Sequence, residues 1–191
     1  MDIHEFSDLL VRQIEGAAPN NTVSGEAAFE RQHIIEPAWE LSRQHPEVRV
    51  FTHPQTPRGT PRKRCRGSCE AGALDFSHRV EGCHPCWTAS KKSTIVDAFA
   101  TRHNFDLVAI DRNGRTLAVE IKWLSLSDGR GPNGEVQRFI GQCALAAAVN
   151  AVVIGVCGFR GRRKRPFDEH QAKVIAKLRE IGVVLIPLHA T

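Results

Sequence analysis

The chain has 191 residues, 26 Lys and Arg against 21 Asp and Glu, and a formal charge of +5; 41% of it is hydrophobic, enough for a core. The length suits one domain with room for a small insertion. No stretch approaches the roughly 18 apolar residues of a membrane span, which excludes a helical membrane protein. Met1-Asp2-Ile3-His4-Glu5 lacks the basic-then-apolar pattern of a secretion signal, which predicts a cytoplasmic protein.

Residues 2–15 read as a first helix. Asp2 stands at the cap, Glu5 at the capping-box position, and Phe6, Leu9, Leu10 and Ile14 form an apolar stripe. A polar loop, 17–22, precedes a second helix over 24–43, which Pro37 is expected to kink or divide. Val48 to His53 reads as a short strand. Residues 54–90, rich in Pro, Gly, Arg and Cys, differ from their flanks and read as an insertion; 91–101 suggests a short helix. Two apolar strands, 105–110 and 116–123, flank the turn residues Arg112, Asn113 and Gly114, a hairpin signal. A glycine-rich loop, 127–134, leads to a helix over 135–149, with Val136, Phe139, Ile140, Cys143 and Ala147 as its apolar stripe. A buried strand, 151–159, a basic loop, a helix over 168–181 closed by Gly182, and a last strand, 183–188, complete the chain.

The basic residues are clustered. Five of the nine residues from Arg58 to Arg66 (Arg58, Arg62, Lys63, Arg64, Arg66) are Lys or Arg, as are five of the six from Arg160 to Arg165 (Arg160, Arg162, Arg163, Lys164, Arg165). Such runs suit a polyanion, because phosphate contacts supply most non-specific nucleic-acid affinity. Of the six cysteines, Cys143 and Cys157 lie in apolar segments and read as buried and inert. The others form Cys65-x3-Cys69 and, after thirteen residues, Cys83-x2-Cys86. That pattern fits a tetrahedral zinc site better than disulfides, and metal would supply the folding energy of so polar a segment. His78 and His84 are substitute ligands.

Side chains alternate along a strand, so Glu120 and Lys122 share a face with Ala118, while Leu117, Val119, Ile121 and Trp123 take the other. A charged pair in so apolar a strand needs compensation, and a cation beside Glu120 would provide it. Register tests the idea. A two-residue Asn113-Gly114 turn sets Asp106 opposite Ile121, on the wrong face. A three-residue loop, Arg112 to Gly114, sets Asp106 opposite Glu120, Val108 opposite Ala118 and Ile110 opposite Thr116. The three-residue loop is therefore predicted, with Gly114 left-handed. Two converging carboxylates make a hard-oxygen site suited to Mg²⁺ or Mn²⁺. Lys122 would hold the attacking water or neutralise the phosphorus centre.

Phe105-Asp106, thirteen intervening residues and Glu120-Ile121-Lys122 together resemble the PD-(D/E)XK nucleases, with Phe105 where the motif's name has Pro. The resemblance spans 24–159, apart from the insertion. It implies an α/β, restriction-endonuclease-like fold: a mixed central sheet flanked by helices, with an α-β-β-β-α-β core. It implies metal positions at Asp106, Glu120 and Ile121, a supporting Gln142 with Arg138 one turn earlier, and a Glu on the first core helix. Glu30 is the choice there, sharing a face with Ala27, Ile34 and Leu41; Glu26 and Glu36 compete with it. The resemblance also favours DNA over RNA. Some such nucleases hold an iron–sulfur cluster through four cysteines flanking the core at both ends, whereas here the four sit together, which favours zinc.

The leading expectation is a Mg²⁺-dependent nuclease acting on DNA, with nucleic acid gripped by both basic runs. A non-catalytic nucleic-acid-binding zinc module, or a subunit of a larger DNA-processing complex, is the alternative. An interaction protein with an incidental carboxylate pair is a third. Homodimerisation and a partner subunit are both left open.

Overall fold

The computed structural model describes residues 1–17, 25–52, 96–98, 101–103, 105–125, 133–160 and 169–190. Helix α1 (Ile3–Gly16) starts with the expected capping box. The Asp2 carboxylate accepts from the N–H groups of His4 at 2.8 Å and Glu5 at 3.0 Å, and Glu5 accepts from the Asp2 N–H at 2.9 Å. Ile3, Phe6, Leu10 and Ile14 are fully buried, so the stripe docks the helix on the sheet.

The second helix runs without a break from 26 to 44 as α2 (Glu26–Glu30), a π-helical turn (Arg31–Ile35) and α3 (Glu36–Gln44). Pro37 explains the turn. Proline has no N–H to donate, and its ring crowds the carbonyl four residues back. The ladder widens just ahead of it, and the Glu36 N–H bonds the Arg31 carbonyl, five residues earlier. The expected kink is thus absorbed as a wide turn. Ser42 Oγ then donates to the Val48 carbonyl at 2.7 Å, turning the chain into β1 (Arg49–Thr52).

Part of the segment expected as a short helix is extended instead. Strands β2 (Val96–Ala98) and β3 (Thr101–His103) pair antiparallel in a small sheet of their own. Val96 and Thr101 are β-branched, and such residues lose side-chain freedom in a helix.

Strands β4 (Leu107–Ile110) and β5 (Thr116–Ser125) form the hairpin. Their register sets Val108 opposite Ala118 and Ile110 opposite Thr116, as the three-residue loop requires, and Gly114 is left-handed with φ 77°. Asp111 fixes this loop. Its Oδ1 accepts from the N–H groups of Asn113 and Arg115, both at 2.9 Å. Its Oδ2 accepts from Arg115 Nε at 2.9 Å and from the Ile3 N–H at 3.2 Å, tying the loop to the start of α1. Burial alone would raise the Asp111 carboxyl, but the hydrogen bonds from Arg115 and Asn113 outweigh it and hold it below the usual carboxylate value.

Helix α4 (Asn133–Ala146) leads into β6 (Val152–Arg160), and α5 (Glu169–Glu180) into β7 (Val183–Ala190). The five-stranded sheet has the order β1-β4-β5-β6-β7. Its first three strands are antiparallel and its last three parallel. Leu107, Leu117, Val119 and Ile121 pack with α1 and the 26–44 helix on one face; Val108, Ala118 and Val153 pack with Phe139 and Cys143 of α4 and Leu178 of α5 on the other. The protein is therefore a mixed α/β fold whose open mixed sheet carries helices on both faces. Among the described residues no helix is long and apolar enough to cross a membrane.

Candidate active site

A mismatch in strand length creates the site. Strand β5 has ten residues and β4 four, and the last pair joining them is Leu107 with Val119. The stretch 120–125 therefore overhangs β4. The Asp111 N–H bonds the Arg115 carbonyl at 3.1 Å, so the odd-numbered residues of β5 direct their main-chain groups towards β4. Beyond the end of β4, the N–H groups of Ile121 and Trp123 have no strand partner on that side among the described residues. Carboxylates meet them instead: Asp106 Oδ2 accepts from Ile121 at 2.8 Å, and Glu26 Oε2 accepts from Trp123 at 3.2 Å.

Alternation places Glu120, two residues beyond Ala118, on the face covered by α4. Asp106 lies in a bend just before β4, outside the strand pairing, so the expected Asp106–Glu120 pair is not formed; its carboxylate instead meets the Ile121 N–H at the open edge of β5. Glu120 is 4% exposed, and Glu30 of α2 is equally buried. The Asp106 carboxyl is pushed well above its ordinary value, first by burial and then by the charge of Glu120, with Glu30 and Glu26 adding to it; the Ile121 N–H opposes them. Asp106 and Glu120 thus share one electrostatic site with Glu30, the residue chosen from the helix face.

Glu26 lies there as well. Its Oε2 is 3.2 Å from Lys122 Nζ. Glu36, the other competitor, pairs at 3.3 Å with Arg31 on the exposed side of the helix. The position of α2 has a packing cause. The Phe29 ring sits 4.8 Å, centre to centre, from that of Trp123. Gly158 permits this, because a Cβ there would run into the Trp123 ring and approach Phe29 Cζ at 2.9 Å. Sequence reasoning ranked Glu26 below Glu30 because nothing in the helix pattern reveals where β4 stops. The overhang is the signal that singles Glu26 out.

On α4, Gln142 is half-buried and Arg138 exposed. Cys143, next to Gln142, is buried, and its thiol is pushed up by burial and then by Glu120. Cys157, beside Lys122 in the parallel register, is raised to about 12, mainly by burial. Both thiols are free, buried and unreactive, as expected.

Cys65, Cys69, Cys83 and Cys86 lie outside the described residues, as do Arg58, Arg62, Lys63, Arg64, Arg66, Arg162, Arg163, Lys164 and Arg165. The described residues flanking these segments share one end of the sheet. Thr52, where β1 stops before the insertion, pairs with Leu107 beside Asp106. Arg160, the last residue of β6 and the first of the second basic run, pairs with Ser125 at the end of β5.

Among the described residues no group of three or more His, Cys, Asp or Glu side chains stands ready to enclose a metal ion. Mg²⁺ does not demand such a cage. It keeps several waters and is commonly held by one or two carboxylates together with substrate phosphates. The hard oxygens of Asp106 and Glu120 fit that mode, and their crowded negative charge is what a divalent cation would neutralise. Comparison of the chain with protein-family models, curated proteins and solved structures finds no match.

Proposed function

We propose that this protein is a metal-dependent nuclease hydrolysing phosphodiester bonds of DNA, built on a restriction-endonuclease-like fold of the PD-(D/E)XK type. The observation that carries the reading is the overhang of β5 beyond β4. There the Asp106 carboxylate accepts from the N–H of Ile121, the residue between Glu120 and Lys122. The element order supports the fold: helix 26–44, then β1, β4 and β5, then α4 and β6, with β2 and β3 intervening.

Asp106 and Glu120, with the main chain at Ile121, would hold Mg²⁺ or Mn²⁺, which supplies Lewis acidity for phosphodiester hydrolysis when bound. Lys122 places a cation at the substrate phosphate or its attacking water. Glu30 adds negative charge that favours the metal, and Gln142 supports the site from α4. In this reading Arg62, Lys63, Arg64, Arg66, Arg160, Arg162, Arg163, Lys164 and Arg165 contact the nucleic-acid backbone, and Cys65, Cys69, Cys83 and Cys86 hold a structural Zn²⁺.

The test is cleavage of single- and double-stranded DNA with Mg²⁺ or Mn²⁺, wild type beside Lys122→Ala and Glu120→Gln. Cutting by the wild type that both substitutions abolish is expected. Folded protein that binds DNA but cuts no substrate would overturn the nuclease reading in favour of a zinc-containing binding module.

A further inference from the structure

Two donors converge on one oxygen at the β5 overhang. Lys122 Nζ and the Trp123 N–H each lie 3.2 Å from Glu26 Oε2. An ammonium and a main-chain amide aimed at a single anionic oxygen are the usual elements of an oxyanion site. Here the anion comes from the chain itself. The contact is accessible: the Glu26 side chain is 47% exposed and that of Lys122 32%. It also lies at the sheet end from which the basic run beginning at Arg160 departs.

We propose that the Glu26 carboxylate is an internal, displaceable stand-in for a phosphodiester oxygen, occupying the position on Lys122 and the Trp123 amide that nucleic acid takes when it binds. The inference rests on the nucleic-acid reading of the site, though not on catalysis. Three observations favour displacement over a permanent brace. The pair is solvent-exposed, so it is worth little by itself. The helix is held by other means, through Phe29 against Trp123. A phosphate oxygen can accept from both donors while the freed carboxylate returns to water. Glu26 therefore competes with substrate and would keep Lys122 from binding unrelated anions.

The experiment measures binding of a short fluorescein-labelled DNA duplex by anisotropy, in chelator-free buffer without added Mg²⁺ or Mn²⁺ so that cutting plays no part and a structural Zn²⁺ is kept. The proteins are wild type, Glu26→Gln, Lys122→Met, the double variant, and Glu36→Gln. Gln at 26 keeps an oxygen for the Trp123 amide, so the fold is retained. Glu36→Gln removes one negative charge from the same helix without touching Lys122. Glu26→Gln is expected to bind about two- to fivefold more tightly than wild type. Glu36→Gln should show little of this gain, and Lys122→Met should erase it. An equal gain in the Lys122→Met background, or from Glu36→Gln, would reduce the effect to general charge and overturn the proposal. So would unchanged affinity in Glu26→Gln, or no binding by any variant at low salt. A coupled gain in a protein that never cuts DNA would sustain the inference while removing the nuclease.

Discussion

Asp111→Asn isolates the bond set that fixes the hairpin register. The side chain is 1% exposed, and all four of its contacts are donors. An asparagine can satisfy only one side. With its oxygen at the Oδ1 position, its NH₂ group meets the Ile3 N–H and Arg115 Nε, donor against donor; flipped, it meets the other two. Losing two charge-assisted bonds and leaving a buried N–H unpaired costs about 2–4 kcal/mol. For a chain of this size that lowers Tm by about 6–12 °C. The acid limb supplies a second readout. The folded carboxyl sits below its ordinary value of 3.8, so its contribution is present above that value and drains away as pH falls through the folded value. The gap between wild type and variant should therefore be full at neutral pH and narrow in acid. Thermal melts across that range, followed by circular dichroism, measure both effects. A variant that melts with the wild type at neutral pH, or a gap that does not shrink in acid, would refute the reasoning.

Other outcomes follow from the same geometry. Asp106→Asn keeps an acceptor for the Ile121 N–H but removes a carboxyl from beside Glu120, so without added Mg²⁺ or Mn²⁺ it should be stabilised by about 0.5–2 kcal/mol. Added Mg²⁺ should raise the Tm of the wild type and not of this variant; melts with and without the ion decide. Gly158→Ala overpacks Trp123 against Phe29 and should cost about 1–3 kcal/mol, with an altered near-ultraviolet tryptophan spectrum; an unchanged melt would contradict the packing argument. His33 is buried, and its Nδ1 contacts the Ala17 carbonyl at 3.1 Å. Burial lowers its pKa below 6.5, so its contribution is present above that value and lost as pH falls through the folded value. His33→Leu should flatten the decline in Tm on mild acidification, and an unchanged slope would reject the assignment.

Much of the fold was legible because its causes are local. The Asp2–Glu5 capping box, the stripe of α1 and the alternation along β5 are short-range patterns. So is the three-residue loop, since the need to align Asp106 with Glu120 selected the register that the structure adopts. The extended segments at 96–98 and 101–103 were missed because an irregular, mixed-polarity stretch gives a weak period, and pairing with a neighbour decided the outcome. The wide turn before Pro37 was half legible: proline announces a disturbance, but only the packing on both sides determines whether the helix breaks or widens.

The sequence by itself determined which residue types face each other across the hairpin, because side-chain alternation and loop length are properties of a few adjacent residues. Tertiary structure alone decided where β4 ends relative to β5. Along the overhang the Ile121 N–H meets Asp106 and the Trp123 N–H meets Glu26, which also reaches Lys122. Strand termination depends on what the rest of the chain offers each main-chain group, and no local pattern encodes it.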